Sequence, residues 1–224
     1  MQIIARIHSE FPGKFGVPRQ AGLVEGLEGL VVFEPEFRRP EALRGLEEFS
    51  HIWLLWQFSR SVGHPWSPTV RPPRLGGNAR LGVFATRSPF RPNPIGLSAV
   101  RLEEIRQDEK LGPVLLVRGA DLMDGTPIYD IKPYIPYSDC RPEAAGGFTE
   151  TVERRTLQVQ AAPELLEAMP PRQQAALLAV LAQDPRPSYQ QDGERVYGMD
   201  FARWNVRFSV RDGVLQVLEV EERR

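Results

Sequence analysis

The sequence predicts a mainly β protein whose first part is an antiparallel barrel or sandwich and whose last part is α+β. Three observations predict it. Short apolar runs broken by Pro and Gly recur through residues 1–140, with little helix-forming sequence between them. The composition then shifts at "RPEAAGGFTE", Arg141 to Glu150, which reads as a linker or wide surface loop. Beyond it one strongly helical stretch precedes a pair of strands. The expected division is a barrel domain over 1–140, a linker over 141–150 and a small α+β domain over 151–224.

The elements follow in order. "IIARIHS" opens the chain as a strand and leads into the turn-rich "EFPGKFGVPRQAG". "GLVVFEP" is the next strand. "PEALRGLEEFS" has Pro at its start and apolar residues at Ala42, Leu43, Leu46 and Phe49, the spacing of a short helix. "HIWLLWQF" is a continuous apolar run of strand length, which predicts burial on both faces. "ARLGVFAT" and "IGLSAVRLEEI" bracket a proline-rich loop as strands, and "GPVLLVRGADL" and "IYDIKPYI" complete the series. In the last part, "PPRQQAALLAVLAQ" joins a leading Pro to strong helix formers, with apolar Leu177, Leu178, Val180 and Leu181. Trp204, Val206, Phe208 and Val210 alternate, and Asp212-Gly213 turns the chain into "VLQVLEV" as a hairpin.

Composition excludes several function classes. A chain of 224 residues, 42% hydrophobic and 25% charged with a net charge of -1, is a soluble globular protein with a sizeable core. The longest apolar run, "IWLLW", falls far short of the roughly 20 residues that span a bilayer. "MQIIARIHSE" lacks the pattern of a secretory leader, so a cytoplasmic location is expected. Cys140 is alone, and His8, His51 and His64 are scattered without ligand spacing, so no metal is expected. Neither G-x-G nor G-x-S-x-G occurs, which disfavours a dinucleotide fold, a P-loop and an esterase elbow.

Charge is unevenly placed. No Asp or Glu occurs between Phe49 and Leu102, while Arg60, Arg71, Arg74, Arg80, Arg87, Arg91 and Arg101 give that segment a charge of +7. Arg supplies 25 of the 28 basic residues, which explains Arg over Lys but not the missing acids. An anion-facing surface does explain them, since neighbouring carboxylates would compete for the guanidiniums. Within this segment Pro89, Pro92 and Pro94 stiffen "TRSPFRPNPIG", so Arg87, Arg91 and Asn93 lose little entropy on binding. Two other polar, turn-rich stretches stand beside it: "GVPRQAG" and "LMDGTPIYDIKPYIPYSD". The latter opens on an Asp124-Gly125 turn and places Asp130, Lys132 and Tyr134 at alternate positions, on one face of a strand. Structural roles compete with these: a barrel corner with solvated arginines, an Asp130–Lys132 ion pair, an Asp124 serving only its turn, and Trp53, Trp56 and Trp66 as core or interface aromatics.

"GVFATRSPFRPNPIGLS", "DGTPIYDIKPYIPY", "KFGVPRQAGL", "RPPRLGGNARLGVFATR" and "AQDPRPSY" resemble the TrmO (TsaA-like) family of tRNA methyltransferases over essentially the whole chain. The resemblance implies a single-sheet β-barrel with a small α+β C-terminal domain, a homodimer, and S-adenosyl-L-methionine bound near the subunit interface. It implies methylation of N6 of threonylcarbamoyladenosine beside the anticodon of threonine tRNA. Carried onto matching positions, the cofactor site comprises Pro18, Arg19, Gln20, Ser59, Arg60, Arg87, Leu97 and the turn Asp121, Leu122, Met123, Asp124, Gly125 and Thr126. At Ser59 and Arg60 the chain departs most from the family pattern, where backbone contacts would survive the change.

The chemistry of the residues agrees with that cofactor. An Arg can clamp its carboxylate, and Asp or carbonyl acceptors suit its ribose and amine. The acceptor, a ureido N6, is amide-like and keeps a proton that must be removed. Asp130 or Tyr134 is the candidate for that proton, and Lys132 for charge developing on the ureido oxygen. Arg71, Arg74, Arg91 and Arg186 are the candidates for RNA, with Arg87 on the cofactor side. Two competing readings are a non-catalytic anion- or RNA-binding barrel, and a methyltransferase acting on another RNA base or a small metabolite.

Overall fold

The computed structural model describes residues 1–72, 75, 79–151, 156–186 and 192–223. Strands β1 (Ala5–Ser9), β2 (Glu28–Phe33), β3 (His51–Gln57), β6 (Ile95–Asp108), β7 (Gly112–Arg118) and β8 (Thr126–Pro133) close into a barrel in the order β1-β2-β7-β6-β3-β8. Every neighbouring pair is antiparallel. Closure leaves no free sheet edge. Two short strands, β4 (Thr69–Val70) and β5 (Leu81–Gly82), pair separately within the long segment between β3 and β6. The barrel interior is filled by Ala5, Ile7, Val31, Ile52, Leu54, Val100, Leu115, Val117 and Ile128. They recur at alternate strand positions, as one inward face requires.

Strand β3 departs from its expected burial on both faces. Ile52, Leu54 and Trp56 point inward and are buried, whereas Trp53 and Leu55 on the other face are only half-buried. A barrel strand has one core face, and here apolar residues also occupy the outer one. The expected helix over "PEALRGLEEFS" is two 3-10 turns, Pro40–Leu43 and Leu46–Glu48. Gly45 between them has φ +87°, a left-handed residue that stops helical propagation. "ARLGVFAT" forms only the two residues of β5 before a 3-10 turn over Val83–Ala85.

The C-terminal part holds β9 (Gln158–Gln160), β10 (Tyr197–Phe201), β11 (Trp204–Arg211) and β12 (Val214–Glu222) in the sheet order β10-β11-β12-β9. Helices α1 (Pro136–Asp139) and α2 (Pro163–Leu166) are single turns, and α3 (Pro171–Ala182) is the one long helix among the described residues. Trp204, Val206, Phe208 and Val210 are all buried, as their alternation predicts. The core between α3 and this sheet is not confined to the C-terminal part. Phe11, Val24 and Leu27, from the loop joining β1 to β2, are buried in it, with Phe15 and Val17 packed alongside.

Strand direction sets what can meet. The chain leaves the barrel at the ends of β1, β3 and β7 and re-enters at the starts of β2, β6 and β8, and antiparallel pairing puts all six points at one rim. Loops 10–27, 58–94 and 119–125 therefore emerge together. These loops hold "GVPRQAG", the arginine-rich segment and the "DLMDGT" turn.

Candidate cofactor and nucleic-acid site

Asp121 ties the three loops to the barrel. The Trp56 indole N–H donates to Ser98 Oγ at 2.9 Å, and the Ser98 hydroxyl donates to Asp121 Oδ1 at 2.5 Å. Asp121 also accepts the backbone N–H of Ala21, in the loop after β1, and lies within the field of Arg87. Burial raises its carboxyl above the ordinary range, and the Ser98 hydrogen bond and Arg87 pull the other way. Arg87 in turn donates to the side-chain oxygen of Gln20. The loop after β1 is fixed a second time where Gly22 N–H donates to Gly119 O at 2.9 Å. Gly119 has φ +75°, and a Cβ there would meet the Gly22 backbone at 3.4 Å.

The proline-rich loop is stiff for a further reason. Arg91 donates to Thr86 O at 2.9 Å and to Ser88 O at 3.3 Å, so its guanidinium staples its own loop. Phe58 N–H donates to Pro94 O at 2.8 Å, holding the loop's end against the exit of β3, where Ser59 and Arg60 form an exposed 3-10 turn. Among the described residues no carboxylate forms a salt bridge with Arg60, Arg71, Arg80, Arg87 or Arg91.

The structure sorts the remaining sequence-predicted residues unevenly. Pro18 is buried and Arg19 exposed. Leu122 is a core residue whose carbonyl accepts the Ser9 hydroxyl at 2.8 Å, and Thr126 is buried with its hydroxyl on Met123 O at 2.7 Å. Asp124 Oδ1 accepts the Ser9 N–H at 3.1 Å and faces His8 Nδ1 at 3.2 Å, and Gly125 O accepts from Arg6 at 3.3 Å, so this half of the turn anchors β1. Leu97 is half exposed on the outer barrel face, directly beside Leu55, which is itself beside Asp130. That puts Asp130 two strands from Leu97, roughly 10 Å away. Arg71 is exposed. Arg186 makes a two-pronged pair with Asp184 at 2.8 and 2.9 Å, which raises its pKa and occupies the guanidinium. Arg74 lies outside the described residues, as do Ser188 and Tyr189 of "DPRPSY".

Asp130, Lys132 and Tyr134 are not gathered with the loops. Asp130 and Lys132 share the outer face and form an ion pair at 3.0 Å, and a bulge at Tyr129 of β8, opposite Leu55 and Trp56, resets the register just before them. Lys132 sits six positions along β8 from its first residue, about 20 Å from the loop rim. Tyr134 packs against Trp53 with ring centroids 5.5 Å apart and planes tilted by 41°. Desolvation, then the neighbouring Cys140 and Asp139, raise its pKa, which makes its phenolate harder to reach. Trp53 also donates to Asp139 at 2.8 Å, a contact that sequence reasoning did not supply. The Asp121–Ser98–Trp56 chain and the Glu10 carboxylate, described below, also escaped it, because they join residues far apart along the chain.

The described residues hold no group of three or more His, Cys, Asp or Glu able to bind a metal, and no helix among them is long and apolar enough to cross a membrane. The fold and candidate site define a class: a closed antiparallel barrel carrying polar, arginine-bearing loops at one rim. The profile of the tRNA-methyltransferase O N-terminal domain matches residues 6–140, and that of the TrmO C-terminal domain matches residues 148–223. The chain belongs to the tRNA-methyltransferase O family. It is 43% identical to a tRNA (adenine(37)-N6)-methyltransferase of Escherichia coli over 98% of this chain and 97% of that one. It is 41% identical to a putative S-adenosylmethionine-dependent methyltransferase of Pseudomonas aeruginosa, RcsF, over 97% and 95%. The crystal structure of TrmO from Pseudomonas aeruginosa superposes with a TM-score of 0.79 at 34% identity, covering 98% of this chain and 96% of that one.

Proposed function

We propose that this protein transfers a methyl group from S-adenosyl-L-methionine to N6 of adenosine 37 in tRNA, with threonylcarbamoyladenosine of threonine tRNA as the acceptor. The observation that carries the reading is the meeting of Arg87, Gln20 and Asp121 where three loops leave one barrel rim. The residues present fit the cofactor. Arg87 makes no salt bridge among the described residues, leaving guanidinium donors for a carboxylate, and its contact with Gln20 sets it beside the 18–20 loop. Bound there, S-adenosyl-L-methionine supplies a methyl on a sulfonium, an intrinsically good leaving group. The protein's part is then alignment and exclusion of water by a rim that does not have to reorganise.

Asp130 and Lys132 belong to this reading through a second copy of the chain. The outer face bearing Leu97, Leu55, Trp53 and Tyr134 is apolar enough to be covered, and in a homodimer it would bring one chain's Asp130 and Lys132 towards its partner's loops. There Asp130 would take the N6 proton and Lys132 would stabilise charge on the ureido oxygen. Tyr134, with its raised pKa, serves packing better than proton removal. A cytoplasmic location follows from a tRNA substrate.

Methyl transfer to threonine tRNA by purified Asp130→Asn and Lys132→Ala proteins tests the roles. The expected result is a fall of about a hundredfold or more in turnover with cofactor affinity kept. Wild-type rates in both variants would remove these residues from the chemistry.

A further inference from the structure

Large apolar side chains are exposed at nine positions among the described residues, and four of them, Val62, Trp66, Phe84 and Phe90, fall in the loop between β3 and β6. Trp66 is 50% exposed, Phe84 74% and Phe90 47%. Exposed aromatics concentrated in one segment mark a surface that something covers. Backbone pairing draws the three positions together. Ser67 N–H donates to Phe90 O at 3.4 Å, and Val83 N–H donates to Pro68 O at 3.0 Å, next to the β4–β5 pair.

The same segment is the acid-free one. Arg60, Arg71, Arg80, Arg87 and Arg91 lie among these aromatics, and no Asp or Glu occurs from Ser50 to Arg101. That charge decides between occupants. A second copy of the chain would set one positive segment against another, at a like-charge cost. An RNA strand brings phosphates for the arginines and base faces for the rings, the pairing by which single-stranded nucleic acid is held. Phe84 and Phe90 also flank Arg87, whose contact with Gln20 joins the platform to the loop assigned to the cofactor.

We propose that Trp66, Phe84 and Phe90 form a stacking platform for unpaired bases of the tRNA anticodon loop, beside the methyl donor. The platform rests on the function proposed above and deepens it: it holds the bases neighbouring the target, splayed from their stack, while arginines hold the backbone. The three rings are exposed, so their replacement leaves the cores intact.

The test is equilibrium binding of a fluorescently labelled threonine anticodon stem-loop RNA to the wild-type protein and to Trp66→Ala, Phe84→Ala and Phe90→Ala, at low and moderate salt. A fully paired, blunt-ended RNA duplex of equal length is the control. Each variant is expected to lose about fivefold to a hundredfold in affinity for the looped RNA. The salt slope should be unchanged, because phosphate contacts remain, and Trp66→Phe should restore most of the loss. The thermal shift produced by S-adenosyl-L-methionine should stay at its wild-type size. Wild-type affinity in all three alanine variants would overturn the platform, as would equal losses on the paired duplex. A change of oligomeric state with RNA affinity kept would assign the surface to a second copy instead, and overturn it too. Methylation by the wild-type protein in parallel separates the two ideas. If it methylates tRNA while the variants bind normally, only the platform fails. If it binds looped RNA through the rings without methylating it, the platform stands and the enzymatic reading fails.

Discussion

Glu10 sits at the end of β1 with 9% of its surface exposed, and its Oε2 has no hydrogen-bond partner. Arg172, in the first turn of α3, approaches Oε1 at 3.7 Å and is shared with Glu28. Burial pushes the Glu10 carboxyl from 4.5 up to about 7, against the lowering pull of Arg172. The folded state thus holds this proton to higher pH than the unfolded chain does. Its contribution is complete below pH 4.5 and is lost as pH rises through about 7, a change of up to ~3 kcal/mol. Thermal denaturation of Glu10→Gln should therefore give a higher Tm than wild type near pH 8, with the gap closing by about pH 5. A gap independent of pH would show that the carboxylate does not titrate in this range. Nothing around Glu10 in the sequence announces it, since "HSEFPG" reads as a turn and its partner lies more than 150 positions away. Arg87 was legible because proline spacing and missing acids are local properties. Arg91 carries the same local signals and Arg186 shares only the flanking prolines; one staples loop carbonyls and the other pairs with Asp184.

The loop from Glu10 to Leu27 serves two masters at the scale of an element. Its apolar residues Phe11, Phe15, Val17, Val24 and Leu27 pack into the C-terminal core, and its polar residues Arg19 and Gln20 face the rim. Phe15 stacks on Phe208 of β11 with ring centroids 6.4 Å apart and planes 7° from parallel. Gly16, next in the chain, has φ +93°, and a Cβ there would run into Met199 Sδ of β10. The C-terminal sheet is thus the floor on which the loop carrying Arg19 and Gln20 rests. Gly16→Ala should lower Tm by an amount matching ~1–2 kcal/mol or more of backbone strain and weaken S-adenosyl-L-methionine binding, read by denaturation and by titration with the cofactor. Cofactor affinity unchanged in a folded variant would detach the floor from the site. Most elements were legible because their period and punctuation are strong, as in Trp204 to Val210 and α3. The short β9 and β10 were not, since three and five residues around Gly198 and Asp200 give little period to read. The face of "HIWLLWQF" was misjudged because an apolar outer surface and a buried one look alike in sequence.

As a whole molecule, the barrel gathers three long loops at one rim by topology, and the C-terminal sheet braces one of them. Antiparallel closure explains why motifs some 70 and 100 residues apart meet at one rim. The same closure carries Lys132 and Tyr134 away from it, along β8. Alternation placed Asp130 and Lys132 on one face correctly, but no spacing rule says which end of a barrel a strand's far residues reach. On the reading proposed above, a second copy of the chain would bring the Asp130 face to the loops. The central claim is the reaction itself. Mass spectrometry of nucleosides from threonine tRNA carrying threonylcarbamoyladenosine, incubated with the purified protein and S-adenosyl-L-methionine, tests it most directly. The account predicts a gain of one methylene mass on that nucleoside, on the base side of the threonyl group, and no gain when the cofactor is omitted. Unmodified threonylcarbamoyladenosine after complete incubation, or methyl found on another nucleoside, would contradict it.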